Sequence, residues 1–154
     1  MKKILKLIFF YEYRIREIVN YLLMSSERGI GWKLLRQYAY KESHIYISNE
    51  ASARSAVFFP HPHNIVIGSG VMIGSNCTIY HDVTLGQNHN LYPKIGDFVI
   101  LYAGSKIIGD ITIEDNVIVG ANSVVTKNVA KNTIVAGNPG VFIRERGVSD
   151  VDLY

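Results

Sequence analysis

With 154 residues and 48% hydrophobic content, the chain suffices for one cored domain, and its single cysteine excludes an internal disulfide framework. The formal charge of +3 is unevenly placed: residues 1–41 carry nine Lys or Arg against three Glu, and the rest carries seven against ten Asp or Glu. The larger part is therefore mildly acidic, which argues against a nucleic-acid surface.

Taken in order, the chain first predicts a helix over residues 4–24. Ile4, Ile8, Tyr11, Ile15, Ile18 and Leu22 recur at spacings of three and four. The basic, apolar start (MKKILKLIFF) resembles the opening of a secretory signal, but Lys6 and Glu12 interrupt it and no small-residue cleavage site succeeds it. No stretch approaches the roughly 20 apolar residues of a membrane span, so a cytoplasmic protein is expected. Ser25, Ser26 and Gly29 end this helix, and a second is expected over residues 31–40 with Trp32, Leu35 and Tyr38 or Ala39 on one face. The two helices (residues 1–41) are expected to cap the open end of the domain formed by the remaining residues. The basic residues Lys2, Lys3 and Lys6 give residues 1–24 a second prospective role, peripheral contact with an anionic membrane at its inner face.

From residue 42 to 145 a different period takes over. An aliphatic residue returns every six positions at Ile67, Ile73, Ile79 and Leu85, then from Ile95 through Leu101, Ile107, Ile113, Val119 and Val125. Four positions after each of these except Leu85 stands a small or β-branched residue, among them Val71, Cys77, Val83, Val99, Ser105, Val117 and Ser123. Gly and Asn fill many places between, where a sharp turn favours positive φ. The pattern predicts a mainly β chain, a hexapeptide-repeat parallel β-helix in which three short strands form each triangular coil. Cys77 falls on an inward position and reads as a buried filler. Residues 44–59 form a degraded first coil, coil closure is expected to end at Lys131, and residues 146–154 read as a polar tail.

The beat fails twice. Between Leu85 and Ile95 the spacing is ten, so GQNHNLYPK must leave the coil as a loop. Before the regular run, FFPHPHN places His61 and His63 between prolines. Four of five histidines, His61, His63, His81 and His89, lie in residues 61–89, with Asp82 beside His81. Imidazole is the side chain best suited to take a proton near neutral pH, so this cluster is the candidate catalytic centre.

The run IVIGSGVMIGSNCTIYHDVTLG, then YPKIGDFVILYAGSKIIGDITIEDNVIVGANSVVTKNV and VAGNPG, resembles the serine acetyltransferase branch of the hexapeptide acyltransferases over residues 44–145. The resemblance implies a left-handed β-helix and a homotrimer with acetyl-CoA bound between subunits. His61, a few residues before Ile65-Val66-Ile67-Gly68, takes the place of the general base. Its small cofactor-channel residues correspond to Ala103, Gly104, Gly120 and Ala121, and Lys127, Lys131, Arg144 and Arg146 are expected to meet nucleotide phosphate. Three departures bear on the acceptor. The Asp directly before the catalytic His is Pro60, an Arg-His pair is Leu91-Tyr92, and the carboxylate that orients the base is Tyr46. A short chain with a PHP corner looks more like the acetyltransferases of capsule or O-antigen synthesis, with a sugar hydroxyl of a polysaccharide precursor as acceptor, held by His63, His81, Asp82, His89 and Tyr92. Serine O-acetylation is the alternative. A second alternative rests on a likeness to carbonic-anhydrase β-helices, with His61 and His63 as zinc ligands; the LYAGS, VGANS and AGNPG segments favour acetyl-CoA, and no metal is expected.

Overall fold

The computed structural model describes residues 2–26, 28–147 and 150, with side chains from residue 13 onward. Helix α1 (Lys2–Met24) and helix α2 (Ile30–Ser43) precede a run of very short strands. The strands are β1 (Tyr46–Ile47), β2 (Ser52–Ala53), β3 (Val66–Ile67), β4 (Met72–Ile73), β5 (Thr78–Ile79), β6 (Thr84–Gly86) and β7 (Lys94–Ile95). They continue with β8 (Ile100–Leu101), β9 (Lys106–Ile108), β10 (Thr112–Ile113), β11 (Ile118–Val119), β12 (Val124–Val125), β13 (Thr133–Ala136) and β14 (Val141–Glu145).

Three parallel sheets make the faces of a prism: β1-β3-β6-β9-β12, β2-β4-β7-β10, and β5-β8-β11-β13 with β14 added antiparallel at the end. Register explains the six-residue beat. On the first face Ile47, Ile67, Leu85, Ile107 and Val125 stand in one column. Ala53, Ile73, Ile95 and Ile113 make the second column, and Ile79, Leu101, Val119 and Val135 the third. All these side chains except the half-buried Ala53 are buried. Each fully buried Leu or Ile contributes about 1.5–3 kcal/mol, so stacking like on like converts a sequence period into a continuous core. The interleaved residues Val71, Val83, Val99, Ser105, Val117 and Ser123 are buried as expected. Cys77 is too: its Sγ lies 3.1 Å from the Gly96 carbonyl, and burial pushes the thiol up to about 11. Corners are turned by residues with left-handed φ, including Asn64, Asn76, Asp82, Asn116, Asn122 and Asn132.

The helices close the first coil. α1 buries Ile15, Val19, Leu22 and Leu23, with Ile18 at the rim. Asn20 reads the backbone of Val57 twice, accepting from its N–H at 2.7 Å and donating to its carbonyl at 3.1 Å. This pairing satisfies edge groups that the first coil would otherwise leave open. Trp32 of α2 donates to the Leu22 carbonyl at 3.2 Å, locking the two helices together. The side chains of Lys2, Lys3 and Lys6, on which the membrane expectation rested, lie outside the described residues.

Two expectations are corrected. α2 runs three residues past Tyr40 and stops where His44, at φ 54°, returns its N–H to the Tyr40 carbonyl. The polar Lys41-Glu42-Ser43 turn gave no apolar period to read. The stack also continues beyond Lys131: β13 pairs parallel to β11, and Gly120 donates to the Val135 carbonyl at 2.8 Å.

Candidate active site

Pro60 and Pro62 are buried whereas His61 and His63 are exposed. The segment bends at Pro60 and His61 and closes a tight turn in which the His63 N–H donates to the His61 carbonyl at 2.9 Å, so the two prolines face the core and both imidazoles face outward. The chain then turns at Asn64, whose N–H is held by the Ser43 carbonyl at 2.8 Å. Successive coils stack their corners on this one. Asp82 N–H donates to His63 O at 3.3 Å, Gly104 N–H to His81 O at 3.0 Å, and Asn122 N–H to Ala103 O at 2.9 Å. Residues some 20 positions apart in sequence thus form one vertical edge of the prism.

On that edge three histidines meet. The rings of His63 and His81 stack with centroids 5.0 Å apart and 9° between planes, and His61 meets His81 edge-on at 5.9 Å. Asp82 accepts from the Asn64 amide through Oδ1, and its Oδ2 lies 3.9 Å from His81 Nε2. His81 Nδ1 is buried without a hydrogen-bond partner.

Below the histidines opens a cleft of about 660 Å³ lined by Asn64, His81, Asp82, Thr84, Lys106, Ala103, Gly104, Ala121 and Asn122 among others. Among the described residues that line it, Lys106 is the one cation and Asp82 the one anion. The Lys106 ammonium donates to the carbonyls of Asp82 at 2.8 Å and Gly104 at 2.9 Å, bridging two corners. Gly104 is required for the backbone itself: it sits at φ 74°, and a Cβ would strike the Asn122 carboxamide.

The structure therefore brings His61, His63, His81, Asp82, Ala103, Gly104 and Ala121 to one edge. The other expected site residues lie elsewhere. Tyr92 packs on the core and lies over the Gly68–Gly70 turn, where a Cβ on Gly70 would meet the ring at 2.9 Å; its ring anchors the base of the extruded loop. That loop ends in a tight hairpin with His89 (φ 52°) and Asn90 (φ 63°) at its centre, closed by reciprocal Asn88 and Leu91 backbone bonds of 3.0 Å. His89 is exposed at its tip. A Cβ on Gly120 would press to 2.9 Å from the Ala136 methyl, so packing alone accounts for that glycine. Lys127 and Lys131 are exposed away from the cleft lining. Arg144 is committed to both oxygens of Asp150 at 2.6 Å, and this pairing holds the Asp150 carboxyl down at about 2.

Asn64, Thr84, Lys106 and Asn122 were not legible as site residues. Each occupies an outward or corner position of the repeat, where polar side chains are the rule. Among the described residues no group of three or more His, Cys, Asp or Glu is arranged to hold a metal ion, and no helix is long and apolar enough to cross a membrane.

Prism, repeat and corner-built cleft define a hexapeptide β-helix, and residues 92–127 match the family described as bacterial transferase hexapeptide (six repeats). The chain is similar to the serine acetyltransferase of Staphylococcus epidermidis, 37% identical over 134 residues, 84% of this chain and 63% of that protein. It is 34% identical over 135 residues to the serine acetyltransferase of Staphylococcus aureus, again covering 63% of it. Among solved structures, serine acetyltransferase from Brucella abortus superposes with a TM-score of 0.71 at 32% identity, covering 76% of this chain and 49% of that one; the same enzyme in complex with coenzyme A gives 0.67. With these neighbours the fold is a left-handed parallel β-helix. The chain spans under two thirds of the curated relatives it matches. These relatives are named as serine acetyltransferases, the branch of the resemblance, and not as acetyltransferases of capsule or O-antigen synthesis.

Proposed function

We propose that the chain is an acetyl-CoA-dependent O-acetyltransferase that works as a homotrimer, with each cleft completed by a neighbouring subunit. The observation that carries this reading is the shared edge: His81 lines one cleft with the small residues Ala103, Gly104 and Ala121, and the rings of His61 and His63 pack against it. Small side chains leave room for a narrow pantetheine arm, and His61 stands as general base. It takes the acceptor's hydroxyl proton as that oxygen attacks the thioester carbonyl, with no acyl-enzyme. The exposed Lys127 and Lys131 are the cations for nucleotide phosphate.

Serine is the acceptor the relatives favour. The cleft supports it, since Asp82 and Lys106 supply one charge of each sign for an ammonium and a carboxylate. A sugar hydroxyl is the second reading, favoured by the uncharged Pro60, Leu91 and Tyr92 at positions where the resemblance leads one to expect charge. Release of free CoA from acetyl-CoA, measured with serine and with nucleotide sugars as acceptors, tests both. Serine turnover above the hydrolysis background supports the first reading, and turnover with sugars alone supports the second. No CoA release with any hydroxyl acceptor refutes the enzyme reading.

A further inference from the structure

His61 is the general base by resemblance, yet it does not line the cleft; the histidine that does is His81. Its ring is fixed on two sides, stacked on His63 and met edge-on by His61. With Nδ1 buried, Nε2 is left as the working nitrogen, beside the Asp82 carboxylate. That carboxylate is itself steadied by the Asn64 amide. A protonated His81 therefore has a counter-charge on the neighbouring residue, and its ring shares the cleft with Ala103 and Gly104, which wall the donor side under the proposed function.

We infer that His81 is a second catalytic residue, the acid that protonates the departing thiolate. The inference rests on the acetyl-transfer reading. As the acceptor oxygen bonds to the acetyl carbon, its proton passes to His61. When the tetrahedral adduct collapses, the C–S bond breaks, its electron pair stays on sulfur, and His81 Nε2 delivers a proton there. His61 ends with one proton more and His81 with one fewer. Solvent returns it, since His61 is exposed and His81 half-buried, so no other reactant is needed. Splitting the two transfers between two imidazoles spares one ring from reaching both oxygen and sulfur.

The test is chemical rescue. His81→Ala should lower kcat about 100-fold or more while leaving KM for acetyl-CoA within threefold. Added imidazole buffer should restore part of the rate, and across buffer ratios the restored rate should track imidazolium. His81→Gln, which keeps most of the side-chain volume, should show the same kcat loss without a fall in thermal stability. Tracking of the free base, absence of rescue, or a loss confined to KM overturns the assignment. These outcomes stand apart from failure of the acetyl-transfer reading, in which the wild-type protein releases no CoA. They stand apart also from failure of the His61 assignment, in which His61→Ala retains full activity.

Discussion

Lys106→Met probes the cleft most directly. The substitution keeps most of the aliphatic stem and removes an ammonium that donates to the Asp82 carbonyl at 2.8 Å and the Gly104 carbonyl at 2.9 Å. A charged donor contributes about 1.5–3 kcal/mol per buried bond. Lys106 is half-buried, so water replaces part of each bond and the expected loss is about 2–3 kcal/mol in all. For a chain of this size that corresponds to a fall in Tm of roughly 4–12 °C, read by calorimetry at one fixed protein concentration because an oligomer's Tm depends on it. The kinetic effect should exceed the thermal one. The bridged corners carry His81-Asp82 on one side and Ala103-Gly104 on the other, and a displacement near 1 Å costs on the order of 100-fold in rate. Lys106→Arg should recover stability better than rate, because the longer stem and the in-plane N–H directions of a guanidinium shift the two corners from the spacing a compact ammonium sets. A Lys106→Met protein with the wild-type Tm and kcat would refute the bridge.

Other parts of the molecule are open to equally direct measurements. His61→Ala should lower kcat by about 10² to 10⁴ with little change in KM for acetyl-CoA, measured by steady-state thiol release; a wild-type kcat removes the general-base assignment. Burial raises the Cys77 thiol from 9.0 to about 11. A raised acid favours the folded state below its unfolded value, so this contribution is complete below pH 9 and lost as pH rises toward 11. Its full size is about 2–3 kcal/mol, and in urea titrations Cys77→Ala should lack that alkaline loss. Asp150 runs the other way: lowered from 3.8 to about 2 by Arg144 and the Gly147 N–H, it supports the C-terminal clasp above pH 4 and releases it between pH 4 and 2. An NMR titration midpoint near 3.8 in the wild type would contradict the clasp, and Arg144→Gln should move the midpoint up. Asn20→Ala removes both Val57 bonds and should cost about 1–3 kcal/mol, with hydrogen exchange rising first at Val57 and not in the later coils.

Repeat architectures write their core into the sequence because every coil faces the same packing problem. The columns through Leu85, Leu101 and Val119 were readable from spacing alone, and so was the inert interior place of Cys77. The two breaks in the beat were equally plain, and one of them, PHPH, packs both its imidazoles against His81, the histidine that lines the cleft. What each break does could not be read. Tyr92 looked like a substrate group because it stands where the resemblance expects one residue of an Arg-His pair, and its ring covers the backbone of two glycines more than 20 residues earlier. Arg144 looked like a phosphate ligand, but its charge is matched within six residues by Asp150.

The chain's period determined the fold, since a six-residue aliphatic beat has only one way to bury itself, and it determined which short segments escape that fold. Tertiary structure alone decided which of the expected residues meet and which others join them. Corners stack at intervals of about 20 residues, a distance at which no local spacing signals a contact, and so Asn64, His81, Lys106 and Asn122 come together across four coils. An outward lysine in a strand reads as solvated surface until the coil above it supplies the carbonyl it bridges.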